Sequence, residues 1–155
     1  MKLFNNLKRG IINIIKWFPV IWNDEDYDFQ TIYTLLYHKL NHMEQYYESD
    51  KTYSANADKT AYEIMIAKNL AKRLAKENYL NNALIEHEQK YPDYLEKSFH
   101  TEKIEGKDLY RIMDLNSKEE KKSFERCSQL SDYLEQQDRE YLFDYLKKKI
   151  RNWWG

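Results

Sequence analysis

His38 and His42 stand four residues apart, the spacing at which two imidazoles on one helical face reach the same cation. Glu44, His87, Glu88 and the acids of residues 24–28 are the side chains that would complete such a site. The pair lacks the glutamate directly after the first histidine that serves as base in helical zinc hydrolases. Solvated or hydrogen-bonded histidines are therefore the expectation, and no metal or other cofactor is assigned. Anion binding has a clearer pattern. Lys68, Lys72 and Lys76 recur every four residues beside Arg73, with Tyr62 and Tyr79 near the two ends of the run. Lysine neutralises phosphate and tyrosine stacks on a base. Trp17, Trp22, His42 and His87 complete the candidate ligand-binding set. The competing reading is a solvated lysine face paired with Glu63 and Glu77. Nucleophilic catalysis has little to stand on. The one cysteine, Cys127, falls on an apolar helical stripe, where a small buried hydrophobe is expected. No Gly-x-Ser-x-Gly turn occurs. No catalytic residue is assigned, and the protein is expected not to be an enzyme.

Those residues need elements to position them, and the spacing of apolar residues predicts helices. Residues 1–22 carry Lys2, Lys8, Arg9 and Lys16 and no acid, while Leu3, Leu7, Ile11, Ile14, Ile15 and Phe18 recur at helical spacing. This is a basic amphipathic helix. Asn13 and Lys16 interrupt its apolar run, so neither a signal peptide nor a membrane span fits. Packing on the protein's own core is the first expectation. Lying on a membrane surface or a partner is the alternative, and membrane contact is not expected. Pro19 should end the helix. Four acids, Asp24, Glu25, Asp26 and Asp28, then suit the positive end of a second helix. That helix spans residues 26–47, with Phe29, Ile32, Tyr33, Leu36, Leu40, Met43 and Tyr47 on one stripe and the two histidines opposite. Residues 49–57 read as a loop.

Asp58 is expected to cap a third helix over residues 59–87, broken near Asn81. Ile64, Ala67, Ala71, Leu74 and Asn78 share one face, widened by Ile66 and Leu70. Residues 91–116 contain Pro92 and Gly106 and have no clear period. The stretch 103–109 reads as a short hairpin or a loop. Ser117-Lys118-Glu119-Glu120 is a capping-box pattern. It opens a long C-terminal helix over residues 117–154, with Phe124, Cys127, Leu130, Leu134 and Tyr141 as its stripe. That helix is longer than a globule of this size is wide, so it should bend or meet a second subunit, and a homo-oligomer is expected. The C-terminal Lys147, Lys148, Lys149 and Arg151 suit the negative end of a helix. Trp153 and Trp154 suggest a packing or oligomer contact, with a membrane or nucleic-acid contact as the alternative.

The composition agrees. Three Gly and two Pro in 155 residues are too few for the turns of a sandwich, barrel or propeller. No Rossmann or P-loop glycine pattern occurs. A net charge of −1 disfavours a whole-surface nucleic-acid binder, and a mean hydropathy of −0.93 excludes a polytopic membrane protein. One cysteine excludes an internal disulfide framework. Fourteen Tyr, six Phe and four Trp provide stacking and interface material. The expected fold is a single all-α domain over residues 1–155, with four or five helices.

Three segments add a resemblance: Trp17-Phe18-Pro19-Val20-Ile21-Trp22 followed by Asp24, Asp26 and Asp28; Lys39-Leu40-Asn41-His42-Met43-Glu44; and residues 82–90. Together they resemble a family of small tailed-bacteriophage proteins, over roughly residues 10–90. Tyr27 and Tyr91 stand where that pattern has Trp. The family has no settled activity, so no site residues carry over. The resemblance implies a viral accessory protein in a host bacterial cytoplasm. The leading expectation is stoichiometric binding, as a counter-defence sponge that sequesters a nucleotide-type immune signal. A protein inhibitor of a host enzyme or defence protein is the second expectation. A metal-dependent nuclease or phosphodiesterase using His38 and His42 is the third.

Overall fold

A computed structural model describes residues 2–22, 24–25, 27–50 and 52–154, without the side chains of Lys2, Leu3 and Trp154. Asp26, the expected start of the second helix, lies outside the described residues. So do Asn23 of the acidic run and Lys51 of the loop.

The protein is all-α apart from one small sheet. Its elements are α1 (Lys2–Ile21), α2 (Gln30–Tyr47), α3 (Ala57–Lys76), α4 (Tyr79–Lys90), α5 (Tyr94–Ser98), β1 (His100–Lys103), β2 (Tyr110–Met113) and α6 (Lys118–Lys149), closed by a 3-10 turn (Ile150–Trp154). The sixth helix, beyond the four or five expected, is the single-turn α5. β1 and β2 form an antiparallel hairpin, with His100 opposite Met113 and Lys103 opposite Tyr110. Gly106 (φ 78°) supplies the left-handed residue of its loop, which settles residues 103–109 as the tip of a hairpin.

Three boundaries differ from expectation. Pro19 does not end α1, which continues to Ile21. The ring removes only the bond that its own N–H would make, and the Trp22 N–H still closes the final turn on the Phe18 carbonyl (3.0 Å). The α3–α4 break falls at Glu77-Asn78, three residues before Asn81. Glu77 adopts a left-handed backbone (φ 47°), which stops a helix as glycine usually does. Asp58 lies inside the first turn of α3 and is not its cap. The acids before α2 act as expected through Asp28, whose carboxylate accepts the Gln30 N–H (2.9 Å) and the Thr31 hydroxyl (3.2 Å). The capping box at α6 also forms. The Ser117 N–H donates to Glu120 Oε2 (2.6 Å) and the Glu120 N–H to Ser117 Oγ (3.2 Å).

The chain forms two compact units, Met1–Lys76 with Asp138–Gly155, and Glu77–Gln137. The residues of α6 up to Gln137 belong to the second unit and those from Asp138 to the first.

In the first unit, α2 packs along α3. Leu40, Ile64, Leu74, Leu142 and Trp153 are fully buried. Ala67 and Ala71 let the helices approach closely. Trp153 of the expected tryptophan pair is thus a core residue. Its indole N–H donates to Glu63 Oε2 (3.2 Å) and its carbonyl accepts the Tyr47 hydroxyl. Glu63 also pairs with Lys149 (2.8 Å). Its carboxyl is held below the usual range, first by Lys149 and then by the Trp153 N–H, against the opposing effect of burial.

The expected α6 stripe is only partly the buried one. Phe124 and Cys127 are half-buried, but Leu130, Leu134 and Tyr141 are exposed. The inward line instead runs through Glu120, Ser131, Leu142 and Trp153. Two polar residues on this side of the helix have partners that hold them. Glu120 pairs with Lys97 (2.9 Å) and Asp138 with Arg73.

Candidate functional site

The second unit builds a cavity around a histidine. α4 carries Leu84, His87 and Glu88, and the turn after it carries Tyr91 and Pro92. α5 adds Tyr94 and Leu95, and the first turns of α6 add Phe124. These residues enclose about 300 Å³, the low end of the range for small-molecule sites. The spacing explains the convergence. His87 and Tyr91 are one helical turn apart, and Pro92 then breaks the helix and turns α5 so that Tyr94 folds back onto the same imidazole.

Three aromatic rings surround His87: Tyr91 at 5.2 Å, Tyr94 at 4.6 Å and Phe124 at 5.8 Å between centroids. Tyr94 and Phe124 stack on each other at 5.0 Å. His87 is 3% exposed. Its Nδ1 lies 3.0 Å from Ser123 Oγ, which fixes the ring's rotation. Its Nε2 is buried with no hydrogen-bond partner among the described residues. A buried polar atom without a partner is costly, and the residue that carries it is one of those lining the cavity. Lys90 Nζ sits 4.9 Å from the centre of the Tyr91 ring.

A polar brace holds the floor. Asn116 Nδ2 donates to the Tyr94 carbonyl (3.0 Å) and to Ser98 Oγ (2.7 Å). The Leu115 N–H donates to the Lys97 carbonyl (3.0 Å). Glu120, which caps α6, also holds Lys97. Its carboxyl is pulled down to about 2, first by Lys97 and then by Ser117.

The ten residues singled out for ligand binding fall in both units. Tyr79 and His87 are buried in the second, and His87 is the one in the cavity. The others lie in the first. Lys68 is ion-paired with the buried Glu44. Arg73 grips Asp138 with two hydrogen bonds of 2.6 Å. Lys72 lies 5.8 Å from the Tyr37 ring centre. Lys76 and Tyr62 are exposed. Two of the four cations of the ladder are therefore neutralised inside the unit. Of the two partners expected for them, Glu63 and Glu77, Glu63 is held by Lys149.

Trp17 packs on His38 (5.0 Å), and Trp22 packs on Phe18 (4.7 Å). His38 Nε2 lies 2.9 Å from the Lys16 carbonyl and 3.1 Å from His42 Nε2. His42 has a lowered pKa, chiefly from burial and then from His38 and Lys16. Among the described residues, no group of three or more His, Cys, Asp or Glu side chains is placed to hold a metal ion.

Tyr91, Tyr94, Ser123 and Phe124 are not among the site residues that the sequence suggests. The signal for two of them was present, because His87, Tyr91 and Tyr94 follow at intervals of four and three. Pro92 interrupts the helix that would have made that spacing legible.

Comparison with protein-family models, with curated proteins and with solved structures returned no match.

Proposed function

We propose that the protein acts by stoichiometric binding and holds the base of a nucleotide in the His87 cavity. The observation that carries this reading is His87 Nε2, buried and unpartnered in an aromatic wall. Tyr91 and Tyr94 offer π faces to a planar heterocycle. Nε2 addresses one hydrogen-bonding edge of that heterocycle, as donor or acceptor according to which proton Ser123 selects on Nδ1. Glu88 can accept from an exocyclic amine, and Lys90 beside Tyr91 suits a phosphate at the mouth. A chain that sequesters a signal in this way needs no catalytic group. The resemblance to tailed-phage proteins supports a counter-defence role in an infected bacterium.

The test is calorimetry with a panel of nucleoside monophosphates and cyclic dinucleotides, alongside native mass spectrometry of the chain purified from bacteria with an active nucleotide-signalling defence. One nucleotide per chain is expected. His87→Phe keeps a ring in the wall and removes Nε2, and it should weaken binding about tenfold. No bound nucleotide in either experiment, or equal affinity in His87→Phe, overturns the reading.

A further inference from the structure

We propose that α1 docks in the plane of an anionic lipid surface, a binding activity independent of the His87 cavity. The helix carries a continuous apolar face that the protein leaves uncovered. Phe4, Leu7, Ile11, Ile14, Ile15 and Phe18 are all exposed, Phe4 to 72% and Ile15 to 66%. At about 100° per residue these six fall within an arc of roughly 100°. Trp22 extends it at the C-terminal end and is 70% exposed.

Packing on the protein's own core was the first use expected of this face, and α1 packs by a different side. Its half-buried residues are Gly10, Trp17 and Val20, on the flank beyond the apolar arc. Trp17 rests on the His38 ring (5.0 Å), and the Lys16 carbonyl meets His38 Nε2 (2.9 Å). α2 therefore holds α1 by the flank that carries Trp17 and leaves the apolar arc outward. Among the described residues, no helix is long and apolar enough to cross a membrane, so the geometry is that of a helix lying on a surface.

Charge chooses the occupant. Lys8, Arg9 and Lys16 lie on α1, and no acid lies anywhere on it. An anionic headgroup layer complements a helix that is cationic throughout. A second copy would set two such helices together with no acid on either to offset their cations. Phe18 and Trp22 stack at 4.7 Å beside Pro19, an aromatic cluster of the kind that favours the headgroup boundary.

The experiment is flotation of the full chain with vesicles of phosphatidylcholine alone and with about one third phosphatidylglycerol, a content that makes the surface negative. The chain should float with the anionic vesicles and not with the neutral ones, and the bound fraction should fall about tenfold between low salt and 0.5 M NaCl, where charge is screened. Ile11→Asp with Ile15→Asp should abolish flotation while leaving the melting temperature unchanged, since both side chains are exposed. Lys8→Glu with Arg9→Glu should do the same to the salt-sensitive part. Failure to float with anionic vesicles at low salt overturns the proposal, as does flotation that survives Ile11→Asp with Ile15→Asp. A dimer that those substitutions dissolve, without flotation, gives the face to a second copy instead.

Discussion

Trp153 offers a direct test of the first unit's packing. It is 1% exposed, it donates its indole N–H to Glu63 Oε2 at 3.2 Å, and its carbonyl accepts the Tyr47 hydroxyl. Trp153→Ala removes the whole indole and leaves a cavity in the core beside Glu63 as well as a carboxylate with one donor fewer. Large-to-small changes at buried tryptophan cost about 3–5 kcal/mol. For a chain of this length each kcal/mol lowers the melting temperature by about 2–4 °C, so a fall of about 6–20 °C is expected. Trp153→Phe separates the two contributions. It keeps most of the apolar volume and loses the donor, and a hydrogen bond to a charged acceptor contributes about 1.5–3 kcal/mol. The assay is urea unfolding followed by far-ultraviolet circular dichroism, because the substitution alters tryptophan fluorescence. A double-mutant cycle with Glu63→Gln should return a coupling of about 0.5–3 kcal/mol, as contacting pairs do. If Trp153→Ala cost less than about 1 kcal/mol, the C-terminal turn would not be part of the core and the reasoning would fail.

Two further predictions concern charge. Glu120 has its pKa lowered from 4.5 to about 2, first by Lys97. A carboxyl depressed on folding stabilises above its unfolded pKa and loses that contribution as pH falls through its folded one. Unfolding of the second unit should therefore become easier between about pH 4.5 and 2, and Glu120→Gln should flatten that part of the profile in a pH series of thermal melts. Asp138→Asn should weaken the two-bonded grip on the largely exposed Arg73. The expected cost is about 0.5–1 kcal/mol, read by urea unfolding and reduced at high salt. A loss of several kcal/mol would show that the pair is shielded from solvent.

The helices were legible because apolar spacing and capping chemistry are local. Ser117 and Glu120 announce the start of α6 by their own spacing, and Asp28 does nearly the same for α2. The α3–α4 break was misplaced because its cause is the left-handed backbone of Glu77, a residue that rarely adopts that conformation. The inward line of α6 was misread for a related reason. Asp138 is held by a partner distant in sequence, since Arg73 lies 65 residues before it.

The same limit decided the sites. A ladder of lysines looks like an anion site until its counter-ions are known, and Glu44 and Asp138 lie on other helices. A lone histidine looks like core until its neighbours are known. His87 is indeed buried, and only the fold shows that Ser123 holds one of its nitrogens while the other has no partner among the described residues. In α1 the error ran the other way. The spacing in α1 defines an amphipathic helix, and by default its apolar face belongs in the interior. An apolar stripe states only that something should cover it. Which flank meets the protein is set by Trp17 against His38, and that contact turns the stripe away. The unpartnered nitrogen in the His87 cavity and the uncovered face of α1 share one property. Each is a cost to the isolated chain that a bound partner would remove, and each is visible only once the internal partners of the groups around it have been found.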